Sequence, residues 1–135
     1  MREILFHGKR TDNGEWVEGD VLQIRYHSGH IEYQIMPQTP VSSAVPVLPE
    51  TIGQFTGLAD KNGVRIFEGD ICRFKRFNDI HVGEIVFNVT TASFVMRYQS
   101  IVGAYGEKAT QKMLLSVCDD IEVVGNIRDN PELLR

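Results

Sequence analysis

The strongest constraint on this chain is that it repeats one of its own phrases. Thr11-Asp12-Asn13-Gly14-Glu15-Trp16-Val17-Glu18-Gly19-Asp20-Val21 returns later as Asp60-Lys61-Asn62-Gly63-Val64-Arg65-Ile66-Phe67-Glu68-Gly69-Asp70-Ile71. Each copy holds an Asn-Gly dipeptide between runs that can extend, and both residues of that dipeptide tolerate positive φ. Each copy then passes through Glu-Gly-Asp into a β-rich run, Val21-Leu22-Gln23-Ile24-Arg25-Tyr26 or Ile71-Cys72-Arg73-Phe74-Lys75-Arg76. Gly14, Gly19, Gly63 and Gly69 are therefore expected at turns. Asp20 and Asp70, with Glu18 and Glu68 before them, are read as turn chemistry, the aspartates accepting from their own downstream amides. The copies differ by one residue between the turn glycine and Glu-Gly-Asp, which a bulge can absorb.

A second match closes each copy. Glu50-Thr51-Ile52-Gly53-Gln54-Phe55 is similar to Glu122-Val123-Val124-Gly125-Asn126-Ile127, a short apolar strand with a glycine at a bulge or close backbone approach. The expected organisation is thus two β units, residues 1–57 and 58–135, packed as one body. Leu22, Ile24 and Tyr26 alternate with polar residues, His27-Ser28-Gly29-His30 is a turn candidate, and Ile31-Glu32-Tyr33-Gln34-Ile35 alternates again, so residues 21–35 predict a hairpin. The proline-rich residues 37–49 predict an extended surface segment. Residues 83–87 and 93–98 predict strands, residues 107–115 a short helix, and Asp129-Asn130-Pro131-Glu132-Leu133-Leu134 a capped helical turn. The expected fold class is mainly β, α+β at most. Each unit is read as a small SH3-like barrel, because closure would remove exposed strand edges.

These residues also carry a family resemblance. Arg2-Glu3-Ile4-Leu5-Phe6-His7-Gly8-Lys9-Arg10 and Thr51-Ile52-Gly53-Gln54-Phe55-Thr56-Gly57-Leu58 resemble the YopX family of phage and prophage proteins. So do the second copy of the repeat and the ending Ile121-Glu122-Val123-Val124-Gly125-Asn126-Ile127 with Asp129-Asn130-Pro131-Glu132-Leu133-Leu134. The resemblance spans nearly the whole chain and is looser at residues 27–48 and 88–118. It implies a compact, largely β protein of phage or prophage origin, at work in a bacterial host cell. It brings no catalytic residue to carry over.

Composition narrows the function classes. The net charge of −4 argues against general attraction to nucleic acid or anionic membranes. Cys72 and Cys118 are too few for a disulfide-stapled secreted domain. No window is long and apolar enough for a membrane span, and the N-terminus lacks a signal-peptide core, so a cytoplasmic location is expected. His27 and His30 flank a turn at a spacing that can hold two corners of a zinc site, but no third ligand lies near in sequence, so no metal or cofactor is expected. Cys72, equivalent to Leu22, is expected to be inward and inert. Ser42, Ser43, Ser93 and Ser116 lie in no hydrolase elbow, and no phosphate-cradling or dinucleotide motif occurs.

The expectation is therefore a non-enzymatic interaction or scaffold module, homo-oligomeric or bound to an unidentified protein. The alternative is nucleic-acid binding through Arg73, Lys75, Arg76 and Phe77. Strand alternation would aim Arg73 and Lys75 outward together, with an aromatic close by. The bland reading of that stretch is a solvated strand face with Phe77 in the core. Trp16, Phe55 and Tyr105 are open between core and interface, with the repeat favouring core for Trp16.

Overall fold

The computed structural model describes residues 2–39 and 43–134. The chain divides into two units, Met1–Gly57 and Leu58–Arg135. The first contains β1 (Phe6–Lys9), β2 (Trp16–Arg25), β3 (Ile31–Pro37), β4 (Val45–Pro46) and the start of β5 (Gly53–Ala59). The second contains β6 (Arg65–Phe67), β7 (Asp70–Arg76), β8 (Asp79–Asn88), β9 (Ser93–Val102), β10 (Glu107–Leu114) and β11 (Asp119–Asn126), then a 3-10 helix, Pro131–Leu134. The pairings among β1 to β5, and among β7 to β11, are antiparallel.

The mainly β expectation holds, but barrel closure does not. The first unit's strands lie in the order β4-β3-β2-β1-β5, and the hairpin after β5 adds β6. The second sheet runs β10-β9-β8-β7-β11. Its end strands sit at opposite edges, so among the described residues each sheet stays open and keeps two edges.

In the first unit Leu5, Ile35, Val47 and Phe55 are buried, and the Phe55 amide donates to the Leu5 carbonyl at 2.7 Å. Residues 21–35 form the expected hairpin, with Val21 opposite Ile35 and Arg25 opposite Ile31. Of residues 37–49, positions 40–42, Ser42 among them, lie outside the described residues. The remainder includes β4, and a 3-10 helix begins at Pro49, so this segment is more structured than its prolines suggest. Thr51, at the end of that helix, accepts a hydrogen bond from the Lys9 amide at 2.8 Å and donates to the Leu48 carbonyl at 2.6 Å.

The second unit's core joins Ile66, Cys72, Phe74, Ile85, Met96, Tyr98, Leu115 and Cys118. Residues 107–115 correct the helix expectation. Gly103 and Gly106 adopt positive φ and reverse the chain, and β10 then pairs with β9 along its whole length. Ala109, Gln111 and Met113 are half-buried between exposed Lys108, Thr110 and Lys112, a strand's period of two. Pairing with a long neighbour has overridden a composition rich in helix formers.

The repeated phrase takes two different geometries. Gly14 and Gly63 both have positive φ at turns. The first loop closes by Arg10 N to Glu15 O and the second by Asp60 N to Val64 O, so the second loop is one residue shorter. One residue of slip would turn every side chain of the following strand to the wrong face. The second copy avoids this by stopping β6 at Phe67, turning at Gly69 (φ 93°) and starting β7 afresh. The first copy has no turn there, because β2 runs straight through Glu18-Gly19-Asp20. Gly19 is demanded instead by close approach: a Cβ at that position would lie 1.8 Å from the Met36 carbonyl oxygen. The aspartates diverge too. Asp70 is buried and accepts from the upstream Phe67 amide at 2.8 Å, whereas Asp20 is exposed within a strand.

Candidate functional site

The sequence motif around residue 73 lies on β7, and the expected alternation holds there. Cys72 and Phe74 are fully buried, while Arg73 and Lys75 are exposed. Their charges are already engaged by β11. Arg73 pairs with Glu122 at 2.5 Å, and Lys75 lies 3.5 Å from Asp120. The Arg73 hydrogen bond, reinforced by the charges of Arg73 and Lys61, outweighs desolvation and holds the Glu122 carboxyl below its ordinary range. The outward cations are thus neutralised as a pair of rungs between neighbouring strands.

Arg76 and Phe77 behave differently. β7 turns into β8 at Phe77 and Asn78, both with positive φ (52° and 67°). That is the two-residue hairpin geometry which glycine and asparagine adopt cheaply and phenylalanine does not. Phe77 is therefore not a core residue: its side chain is 79% exposed at the hairpin tip. The Arg76 guanidinium sits 4.0 Å from its ring centre, while Arg76 Nε is buried with no hydrogen-bond partner among the described residues. An exposed aromatic on a strained turn is a feature that packing does not require.

The tip belongs to a larger feature that no local sequence pattern encodes. The β8–β9 ladder runs from Asn88 opposite Ser93 to Gly83 opposite Tyr98 and ends there. Both strands continue, β8 back to Asp79 and β9 on to Val102. Each stays paired only to its outer neighbour, through Arg76 opposite Asp79 and Glu107 opposite Val102. The sheet therefore forks into two hairpin arms, β7–β8 and β9–β10. Gly83 stands at the branch point, where a Cβ would lie 2.7 Å from the Arg97 carbonyl oxygen. On the buried face, His81 is 5.5 Å from the Phe74 ring and 4.9 Å from the Tyr98 ring, a cluster of tilted rings at the split.

A cavity of about 650 Å³ lies along the fork, lined by residues that include Val82, Gln99, Ile101, Lys108, Leu133 and Leu134. The two leucines come from the C-terminal 3-10 helix, which packs against β8. Asn130 secures that helix by accepting the Asn126 amide at 3.2 Å, and Asn126 Oδ1 accepts the Arg128 and Asp129 amides. Arg97 and Glu84 form an ion pair at 2.8 Å in the cavity wall, whereas Lys108 has no ion-pair partner among the described residues. The arms also carry apolar groups into solvent: Ile80 is 63% exposed, Ile101 74% and Tyr105, at the β9–β10 turn, 92%. A smaller cavity of about 420 Å³ in the first unit is lined by Phe6, Val21, Gln23, Tyr33, Pro49 and Ile52.

The remaining candidate residues lie in the first unit or in the cores. Phe55 is buried, and Trp16 is half-buried with its ring 4.5 Å from that of His7. His30 stacks on Tyr26 at 5.7 Å at the β2–β3 turn, and no group of three metal-ligating side chains converges among the described residues. Burial pushes both thiols up, that of Cys118 to about 11. The buried Asp60 commits both oxygens to backbone. Oδ1 accepts from Asn62 and Val64, and Oδ2 from Val123, each at 2.9 Å. Burial alone would raise its pKa, but these three donations and the charge of Lys61 hold it below the ordinary carboxylate value. Among the described residues no helix is long and apolar enough to cross a membrane.

Comparison with known proteins adds a family match. The family model described as "YopX protein" matches residues 5–135. Among solved structures, the crystal structure of protein EF1440 from Enterococcus faecalis is 26% identical, with 100% of both chains covered and a TM-score of 0.46. No curated protein matches the chain.

Proposed function

The chain belongs to the YopX family, and on that footing we propose that it is a non-enzymatic interaction module of phage or prophage origin, with the forked end of the second sheet as its recognition surface. The observation that carries this reading is the fork itself, a built cleft whose arms hold Phe77, Ile80, Ile101 and Tyr105 in solvent. Large apolar groups at such exposure bury little surface in the free chain, and clustered exposed apolar groups mark interaction sites. Catalysis has less support, since Asp60 and Asp70 accept from backbone amides and both thiols are buried and raised in pKa. The test is partner capture from lysogenic cells by the intact chain and by a Phe77→Asn/Ile101→Thr/Tyr105→Asn variant. A protein retained by the first and lost by the second supports the reading. Equal retention by both overturns it.

A second reading is favoured by one contact. The Arg76 guanidinium over the exposed Phe77 ring resembles the stacking platforms that hold single-stranded nucleic acid. The pairing of Arg73 and Lys75 with Glu122 and Asp120 weighs against it, as does the overall charge of −4. Fluorescence anisotropy with random oligonucleotides at low and physiological salt separates the two. Salt-sensitive binding lost on Phe77→Ala would favour nucleic acid.

A further inference from the structure

The fork leaves two strand edges facing each other across a cavity, and backbone edges of this kind recruit other strands. Beyond Gly83 and Tyr98, β8 and β9 remain extended and each is held on one side only. Continuing their register would place Ile80 opposite Ile101, yet the ladder does not continue. We propose that the fork binds an extended peptide segment of a partner protein, inserted as a strand between β8 and β9. This rests on the recognition reading above and specifies its ligand.

The lining fixes the chemistry of that peptide. Side chains of an inserted strand alternate between the two faces of the sheet. On the open face they meet Val82, Ile101, Leu133 and Leu134, which select apolar residues. Lys108 stands opposite Ile101 on β10 with no ion-pair partner among the described residues, so it selects an acidic side chain. The Arg97–Glu84 pair is internally neutral and closes the deep end. The cavity's volume of about 650 Å³ suits a short segment rather than a whole domain. The chemistry expected is a β-prone stretch with alternating apolar residues and one Asp or Glu, the mode of strand addition in which main-chain bonds give affinity and side-chain pockets give selectivity.

The experiment is selection of a random-peptide display library on the full chain, followed by hydrogen exchange of the chain with each selected peptide. The proposal expects acidic-apolar alternating peptides that slow exchange across residues 80–82 and 99–101. Methylating alternate backbone nitrogens of the peptide should abolish binding. Lys108→Glu should weaken it at least about tenfold, equal to about 1.4 kcal/mol, while circular dichroism stays unchanged. Strand insertion is overturned if no peptide is enriched, if binding survives both backbone methylation and Lys108→Glu, or if protection falls only at Phe77 and Tyr105. That last result would leave the recognition surface standing without insertion. Protection of residues 80–82 and 99–101 that rises with protein concentration and no peptide would assign the fork to a second copy of the chain, and would also overturn the proposal.

Discussion

Asp60 is the residue whose removal is expected to cost the second unit most for its size. It follows β5, and its two oxygens accept from the amides of Asn62, Val64 and Val123 at 2.9 Å each. One carboxylate thus closes the hairpin into β6 and ties it to β11. Hydrogen bonds to an ionised acceptor contribute about 1.5–3 kcal/mol each, and donors stranded near the interior add a desolvation cost. Allowing for non-additivity among neighbours, Asp60→Ala should destabilise by about 3–5 kcal/mol at neutral pH. Asp60→Asn, with one acceptor oxygen and no charge, should lose roughly half of that. The loss depends on pH in a definite direction. The folded carboxyl titrates below the unfolded one, so its contribution is complete above the unfolded value of about 3.9 and fades as pH falls through the folded value. Urea unfolding followed by circular dichroism should therefore show a large gap between wild type and Asp60→Asn at neutral pH, and one that narrows as pH falls through the folded carboxyl's range. A change below about 0.5 kcal/mol for Asp60→Ala at neutral pH would mean that the carboxylate does not hold the hairpin to β11.

Other outcomes follow from the same geometry. Gly19→Ala sets a methyl against the Met36 carbonyl oxygen, where both sides are backbone, and should lower the melting temperature or prevent folding of the first unit. Replacing Phe77-Asn78 by Asn-Gly relieves the positive-φ strain and should stabilise the chain by about 0.5–1 kcal/mol in urea titration, while removing partner or oligonucleotide binding. A thiol reagent should leave Cys72 and Cys118 largely unmodified in the folded chain at mildly alkaline pH and label both in denaturant, because burial raises both thiols.

What the sequence reveals and conceals here has physical causes. Alternation is local, so the hairpin over residues 21–35 and the inward Cys72 and Phe74 are readable from side chains alone. The Asn-Gly turns are readable because glycine's freedom is a property of one residue, and Gly14 and Gly63 use it. The Glu-Gly-Asp repeat misleads because identical words differ by one residue in phase, which makes Gly69 a turn and leaves Gly19 in mid-strand. Residues 107–114 mislead because their strand state depends on β9, which no local propensity encodes. The fork is the extreme case. It exists where a ladder ends between strands that both continue, and only the register of four strands together shows that. Of the candidate site, Phe77 and its basic neighbours were legible as an unusual cluster, while Ile101, Lys108, Leu133 and Leu134 were not.

Whether the second sheet is open beyond Gly83 and Tyr98 is decided by cross-strand nuclear Overhauser effects on the labelled, partner-free chain. Backbone contacts are expected between Gly83 and Tyr98 and between Ile85 and Met96, and none between Ile80 and Ile101. Contacts at Ile80 and Ile101 would mean a closed ladder, no cleft, and no basis for placing recognition there.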